Sequence, residues 1–196
     1  MQWKFKWATL AILATFSAAL AADHGTNSPL TVSSPDGRLQ AVFSTDAGGM
    51  RWSLLRDGKT LVKPSAMGFR FAIANDYDKD AAELAAMRVL GVRRSKADTT
   101  WETSLYRRGK VRDSYNELVV ELEEEEARAA RIELGGTTVE KHPRRMDIVF
   151  RAYDEGVAFR YSFPRQATFD GFQIKDELTE WRFDQDVVAW TTTYAG

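Results

Sequence analysis

The chain has no cysteine. That excludes disulfide staples and thiol chemistry, and leaves no residue for lipid attachment behind an export signal. Histidine is nearly as scarce: His24 lies in a polar leader, and His142 precedes Pro143 in a polar loop. A histidine metal cage or a serine–histidine–aspartate triad is therefore not expected. Gly48-Gly49 and Gly135-Gly136 are isolated pairs, which suit turns rather than a phosphate-cradling loop. Positive charge is not in excess, since the net charge is −1, so the basic footprint of a nucleic-acid binder is missing. Beyond the first 21 residues, no apolar run approaches the roughly 20 residues that a membrane-spanning helix needs.

What is present begins with an export signal. Lys4 and Lys6 give residues 1–7 a positive start without an acid. Ala8 to Leu20 is apolar, and Ala19-Leu20-Ala21 places small residues where a signal peptidase reads. Residues 1–21 are expected to be a cleaved signal peptide, which implies a periplasmic or secreted protein. Cleavage leaves 175 residues with net charge −3, enough for one domain with a real core. Residues 22–30 read as a polar leader, and residues 31–196 as the folded domain.

That domain reads as strands and turns. Ser34-Pro35-Asp36-Gly37 is a turn signal, and Arg38 to Ser44 follows as a strand. Met50, Trp52 and Leu54 alternate with Arg51 and Ser53, the period of a half-buried strand. Asp57-Gly58 predicts a hairpin turn of the primed type. Asn116, Leu118, Val120 and Leu122 share one parity, with Glu117, Glu121 and Glu123 on the other, which predicts a strand with one wet face. Met146 to Phe150 and Val157 to Phe163 flank Tyr153-Asp154-Glu155-Gly156 and predict a hairpin with an aromatic inner face. Further strands are expected at residues 172–174, 177–183 and 187–190. Only residues 80–87, rich in Ala, Glu and Leu, suggest a short helix or a variable insertion. Many short strands between Gly and Pro turns predict an all-β, antiparallel sandwich.

Candidate site residues are few. Glu123 to Glu126 forms an acid run that reads as the solvated end of a hairpin. Asp154-Glu155 suits a turn better than catalysis. Strand parity over residues 176–183 would place Glu177 with Thr179, Trp181 and Phe183. A carboxylate heading an aromatic face needs a cation or hydrogen-bond donors, unless it lies at an exposed strand end.

Several of these segments, in this order and spacing, resemble one family. They are Ser34-Pro35-Asp36-Gly37, Asp57-Gly58-Lys59, Ser114 to Leu118 and, most specifically, Phe150-Arg151-Ala152-Tyr153-Asp154-Glu155-Gly156-Val157-Ala158-Phe159-Arg160-Tyr161. Over about residues 29–190 the chain resembles the amino-terminal domain of family 97 glycoside hydrolases, a family of α-glucosidases and α-galactosidases. The resemblance implies a large mutarotase-like sandwich packed on a catalytic (β/α)8 barrel that carries the catalytic carboxylates. It also implies a calcium ion near the site that takes one glutamate from the sandwich, and Glu177, followed by Thr179 and Trp181, resembles that position. Asp176 and Glu180 are the neighbouring alternatives. No catalytic residue is expected in this chain, which reads as a fragment or truncated reading frame ending before the barrel. The implied substrate is an α-linked oligosaccharide. The rival reading is a stand-alone exported carbohydrate-binding module.

Overall fold

The computed structural model describes residues 28–188 except 47, 73–81, 84–85, 105–108, 126–130, 135–136, 141–142 and 167–172. The expected signal peptide and most of the leader lie outside these residues. No helix occurs among the described residues, and the strands form antiparallel sheets. The first sheet has the order β1 (Leu30–Ser33), β2 (Leu39–Asp46), β3 (Gly49–Arg56), β4 (Lys59–Met67). After Gly68 the chain continues as β5 (Phe69–Ala72), which pairs with the two-residue β6 (Ala82–Glu83). Then come the long hairpin of β7 (Met87–Glu102) and β8 (Lys110–Glu124), a small hairpin of β9 (Arg131–Leu134) and β10 (Thr137–Glu140), and the hairpin of β11 (Arg145–Ala152) and β12 (Val157–Ser162). A second four-stranded sheet has the order β12-β11-β8-β7, and β13 (Gln173–Glu177) pairs with β5.

The turns follow from local chemistry. Asp57 and Gly58 both have positive φ, at 50° and 75°, the backbone of the primed hairpin turn that matches strand twist. At the earlier turn Gly37 has φ of 76°, and its N–H donates to the Ser34 carbonyl at 2.9 Å. The buried Ser34 hydroxyl is not wasted: it donates to Asp36 at 2.6 Å and accepts from the Leu39 N–H at 3.0 Å.

The core lies between the two four-stranded sheets. Alternation places Leu39, Ala41 and Phe43 of β2 inward, with Met50 and Trp52 of β3. Leu118, Val120 and Leu122 of β8 and Met146, Ile148 and Phe150 of β11 face them. Phe43 meets Phe150 at 6.1 Å between ring centroids, and Trp52 meets Phe159 at 5.0 Å. Each buried large side chain contributes about 1.5–3 kcal/mol through removal of apolar surface from water. The all-β sandwich is the observed fold.

Three local expectations are corrected. Residues 82–83 lie in an extended pair with Arg70 and Phe71, and Met87 starts a 16-residue strand, so the helix-like composition is overridden by sheet pairing. The predicted strand over 177–183 ends at Glu177, beyond which the backbone bonds irregularly to β4. The acid run does not begin in solvent: Glu123 and Glu124 are buried. Three guanidinium groups account for this. Arg88 and Arg145 pair with Glu123, while Arg144 donates to Glu124 from Nε at 2.8 Å and lies over the Phe71 ring.

Candidate functional site

Strand β13 and the residues after it assemble the surface on which Glu177 sits. In β13, Asp176 pairs in register with Arg70, and Glu177 with Phe69. The chain then follows the free edge of β4. Leu178 N–H donates to the Gly68 carbonyl and Glu180 N–H to the Ala66 carbonyl, both at 2.9 Å, and Lys63 N–H donates to the Arg182 carbonyl at 2.7 Å. Val62 and Phe183 form an isolated bridge. These bonds hold the segment against the edge of β4.

The three neighbouring acids have different partners. Asp176 is held by Arg70 at 2.9 Å. Glu180 turns back to its own scaffold, where one oxygen accepts from the Ala66 N–H at 3.1 Å. Glu177 accepts from the Thr179 hydroxyl at 2.7 Å through Oε1, and its Oε2 has no partner among the described residues. A carboxylate only accepts, so Thr179 spends its single proton on Glu177, and Tyr161, 2.7 Å from Thr179 Oγ1, donates to it in turn. Burial pushes the Tyr161 phenol up to about 12, so it remains protonated as a donor.

Trp181 sets the apolar side of this surface. It is 52% exposed, edge-on to Trp52 at 4.6 Å and stacked on Phe159 at 5.9 Å with 21° between planes. The Trp52 indole N–H donates to the Glu180 carbonyl at 3.1 Å, which ties this aromatic group to the backbone of the segment. Among the described residues no three acids or histidines converge as a metal site. Calcium takes six to eight oxygens, more than Glu177 alone could supply.

A second constellation, on the outer face of the β11–β12 hairpin, escaped the sequence reading. Arg151 donates to Glu117 at 2.7 Å and lies over the Tyr115 ring at 4.2 Å, and Tyr115 packs on Tyr153 at 5.3 Å. Burial pushes the Glu117 carboxyl up, but the bonds from Arg151 and Ser95 outweigh it and hold it below the ordinary value. Outward parity of Tyr115, Glu117, Arg151 and Tyr153 was the only available signal, and it does not show that the residues meet across strands.

Residues 32–195 match the family model described as Glycosyl-hydrolase 97 N-terminal. The chain belongs to that family. Solved structures agree. A Glycoside Hydrolase Family 97 enzyme from Pseudoalteromonas sp. strain K8, in complex with panose, is 27% identical with a TM-score of 0.63. The acarbose complex of a family 97 enzyme from the same strain gives the same values. A β-arabinopyranosidase has the same fold, with a TM-score of 0.62 at 24% identity. The match to the panose complex covers 79% of this chain but only 20% of that enzyme, so the chain spans about a fifth of its length. As a family 97 amino-terminal domain, the sandwich is one part of the architecture that such enzymes contain.

Proposed function

We propose that this chain is the non-catalytic amino-terminal domain of an exported, calcium-dependent α-glycosidase. The sandwich would wall one side of the sugar pocket and lend the Glu177 carboxylate to calcium, with the remaining ligands and the catalytic carboxylates supplied by a (β/α)8 barrel. Export rests on residues 1–21 as read from sequence. The reading is carried by one observation: Glu177 presents an uncommitted carboxylate oxygen beside the half-exposed Trp181, while its acidic neighbours are taken by Arg70 and by backbone.

The chemistry assigned to these residues is positional. Tyr161 and Thr179 orient Glu177 as outer-shell partners orient a metal ligand. Bound calcium would supply charge at the sugar site. Trp181 offers a ring for the apolar face of a sugar. Glycoside hydrolysis needs a pair of carboxyl groups flanking the scissile bond, and these belong to the barrel.

The test is an assay of the purified chain on nitrophenyl α-glucoside and α-galactoside with calcium added. No turnover is expected. Calcium-dependent turnover by this chain alone would overturn the assignment. In a protein that also carries the barrel, Glu177→Gln should weaken calcium affinity and Asp176→Asn should not; the reverse pattern would move the ligand to Asp176. The second reading, a stand-alone carbohydrate-binding module, is favoured by the exposure of Trp181. Saturable binding of α-linked oligosaccharides by the chain without a barrel, lost in Trp181→Ala, would support it over the first.

A further inference from the structure

The outer face of the second four-stranded sheet carries a notch that the Glu177 reading does not use. Its shape follows from register. Ala158 of β12 lies opposite Arg151 of β11, and Arg160 lies opposite Val149. The small Ala158 leaves a gap between two large cationic side chains, and Val149 gives the gap an apolar wall. The cavity is 230 Å³ and is also bordered by Tyr153.

The two arginines differ. Arg151 is locked by Glu117 and by the Tyr115 ring, so its charge is balanced and its planar group is fixed. Arg160 is exposed and makes no hydrogen bond or ion pair among the described residues. The Arg160 charge also acts on Glu117, so the two arginines share one carboxylate and the notch keeps a net charge of one positive, with a fixed guanidinium edge, a phenol ring and an apolar wall. A simple anion would use only the charge. A neutral sugar would use the ring, the wall and the polar edges, but not the charge. A sugar that carries a carboxylate uses all of them: its carboxylate meets the Arg160 fork, and its ring rests against Val149 and Tyr153.

We infer that this notch binds a carboxylated monosaccharide unit of the uronic-acid class, either free or at the end of a chain. The inference is independent of the role given to Glu177.

The test uses the purified chain and follows the ring resonances of Tyr115 and Tyr153 by NMR. The probes are D-glucuronate, D-glucose and acetate, each titrated separately at constant ionic strength. Glucuronate should shift both rings saturably, with glucose and acetate each weaker by about tenfold or more, the scale of one charge-assisted hydrogen bond. Arg160→Gln, an exposed substitution whose folding is checked by an unchanged melting temperature, should erase the preference for glucuronate over glucose. Arg160→Lys keeps the charge without the fork and should fall between the two. Equal binding of glucose, equal binding of acetate, no saturable shift with glucuronate, or an unaltered preference in Arg160→Gln would each overturn the inference. Binding by a free unit should persist in Glu177→Gln, which separates this result from any failure of the calcium reading.

Discussion

Glu124 and Arg144 face each other at the end of β8 in a two-pronged ion pair, with Nε to Oε2 at 2.8 Å, and the Glu124 side chain is only 2% exposed. Both charges have been taken from water, and each is tolerable because the other is present. Arg144→Ala would leave a buried carboxylate without its main partner. The expected loss is about 3–5 kcal/mol, read from urea or guanidinium unfolding. Replacing both, as Glu124→Leu with Arg144→Met, should recover most of that loss, because an apolar pair of similar volume avoids the desolvation cost. A double variant as unstable as Arg144→Ala would show that the pair itself drives the packing.

Asp147 gives a pH-dependent prediction with a definite sign. Burial, and Glu121 directly across the β8–β11 ladder, raise its carboxyl above the ordinary value, against the pull of Arg93. The folded state therefore holds this proton more tightly than the unfolded state does. The contribution is favourable below the unfolded value, is lost as pH rises through the folded value, and is absent at neutrality. Asp147→Asn should raise the melting temperature near pH 7 and have little effect below about pH 3.5. A variant less stable than the parent at neutral pH would contradict this.

Gly91 sits at the bulge in β7, where register shifts between Val89 and Gly91. A Cβ there would lie 2.9 Å from Glu121 Oε2, the tip of a flexible side chain that pairs with Arg93 at 2.8 Å. Gly91→Ala forces that tip aside. The lost exposed ion pair is worth about 0–1 kcal/mol, and the gain from a stiffer unfolded chain about 0.4–1 kcal/mol. The single variant should be near neutral in chemical denaturation, whereas Gly91→Ala in a Glu121→Ala background should be stabilising.

Thr179 stands between Tyr161 and Glu177 and links them by hydrogen bonds. Burial raises the Tyr161 value, and the nearby Glu177 charge raises it further. In Glu177→Gln the phenol should titrate earlier than in the parent, and alkaline absorbance titration reads the shift. Thr179→Val should also cost about 1 kcal/mol of stability for the broken chain of hydrogen bonds.

The sequence carried the fold where information is local. Asp57-Gly58 can only be read as a primed turn, and the parity of Leu118, Val120 and Leu122 assigns the buried face of β8 without knowledge of its neighbours. The Phe150 to Tyr161 hairpin was legible for the same reason, since its alternation and turn lie within a dozen residues. Information that arises across strands was not legible. Glu123 and Glu124 look solvated because the arginines that bury them lie 20 to 35 residues away in sequence. The segment after Glu177 alternates like a strand, yet most of its side-chain directions are set by the edge of β4, more than a hundred positions earlier. Strand parity singled out Glu177 as a carboxylate heading an aromatic face, and only the family resemblance suggested calcium; what separates it from Asp176 and Glu180 is the identity of their partners, which no spacing rule encodes.

The segment that covers β4 also sets a schedule. Arg182 closes on Ser65 across 117 positions, and Glu180 on Trp52 across 128. A ribosome adding about 5–20 residues per second would leave the flank of the first sheet unsealed for roughly 6–23 s while the intervening chain is made. During that interval the nascent protein displays a row of backbone donors and acceptors to any other extended chain nearby. Its vulnerability to aggregation thus begins once β4 has emerged and ends when a few residues beyond Glu177 emerge.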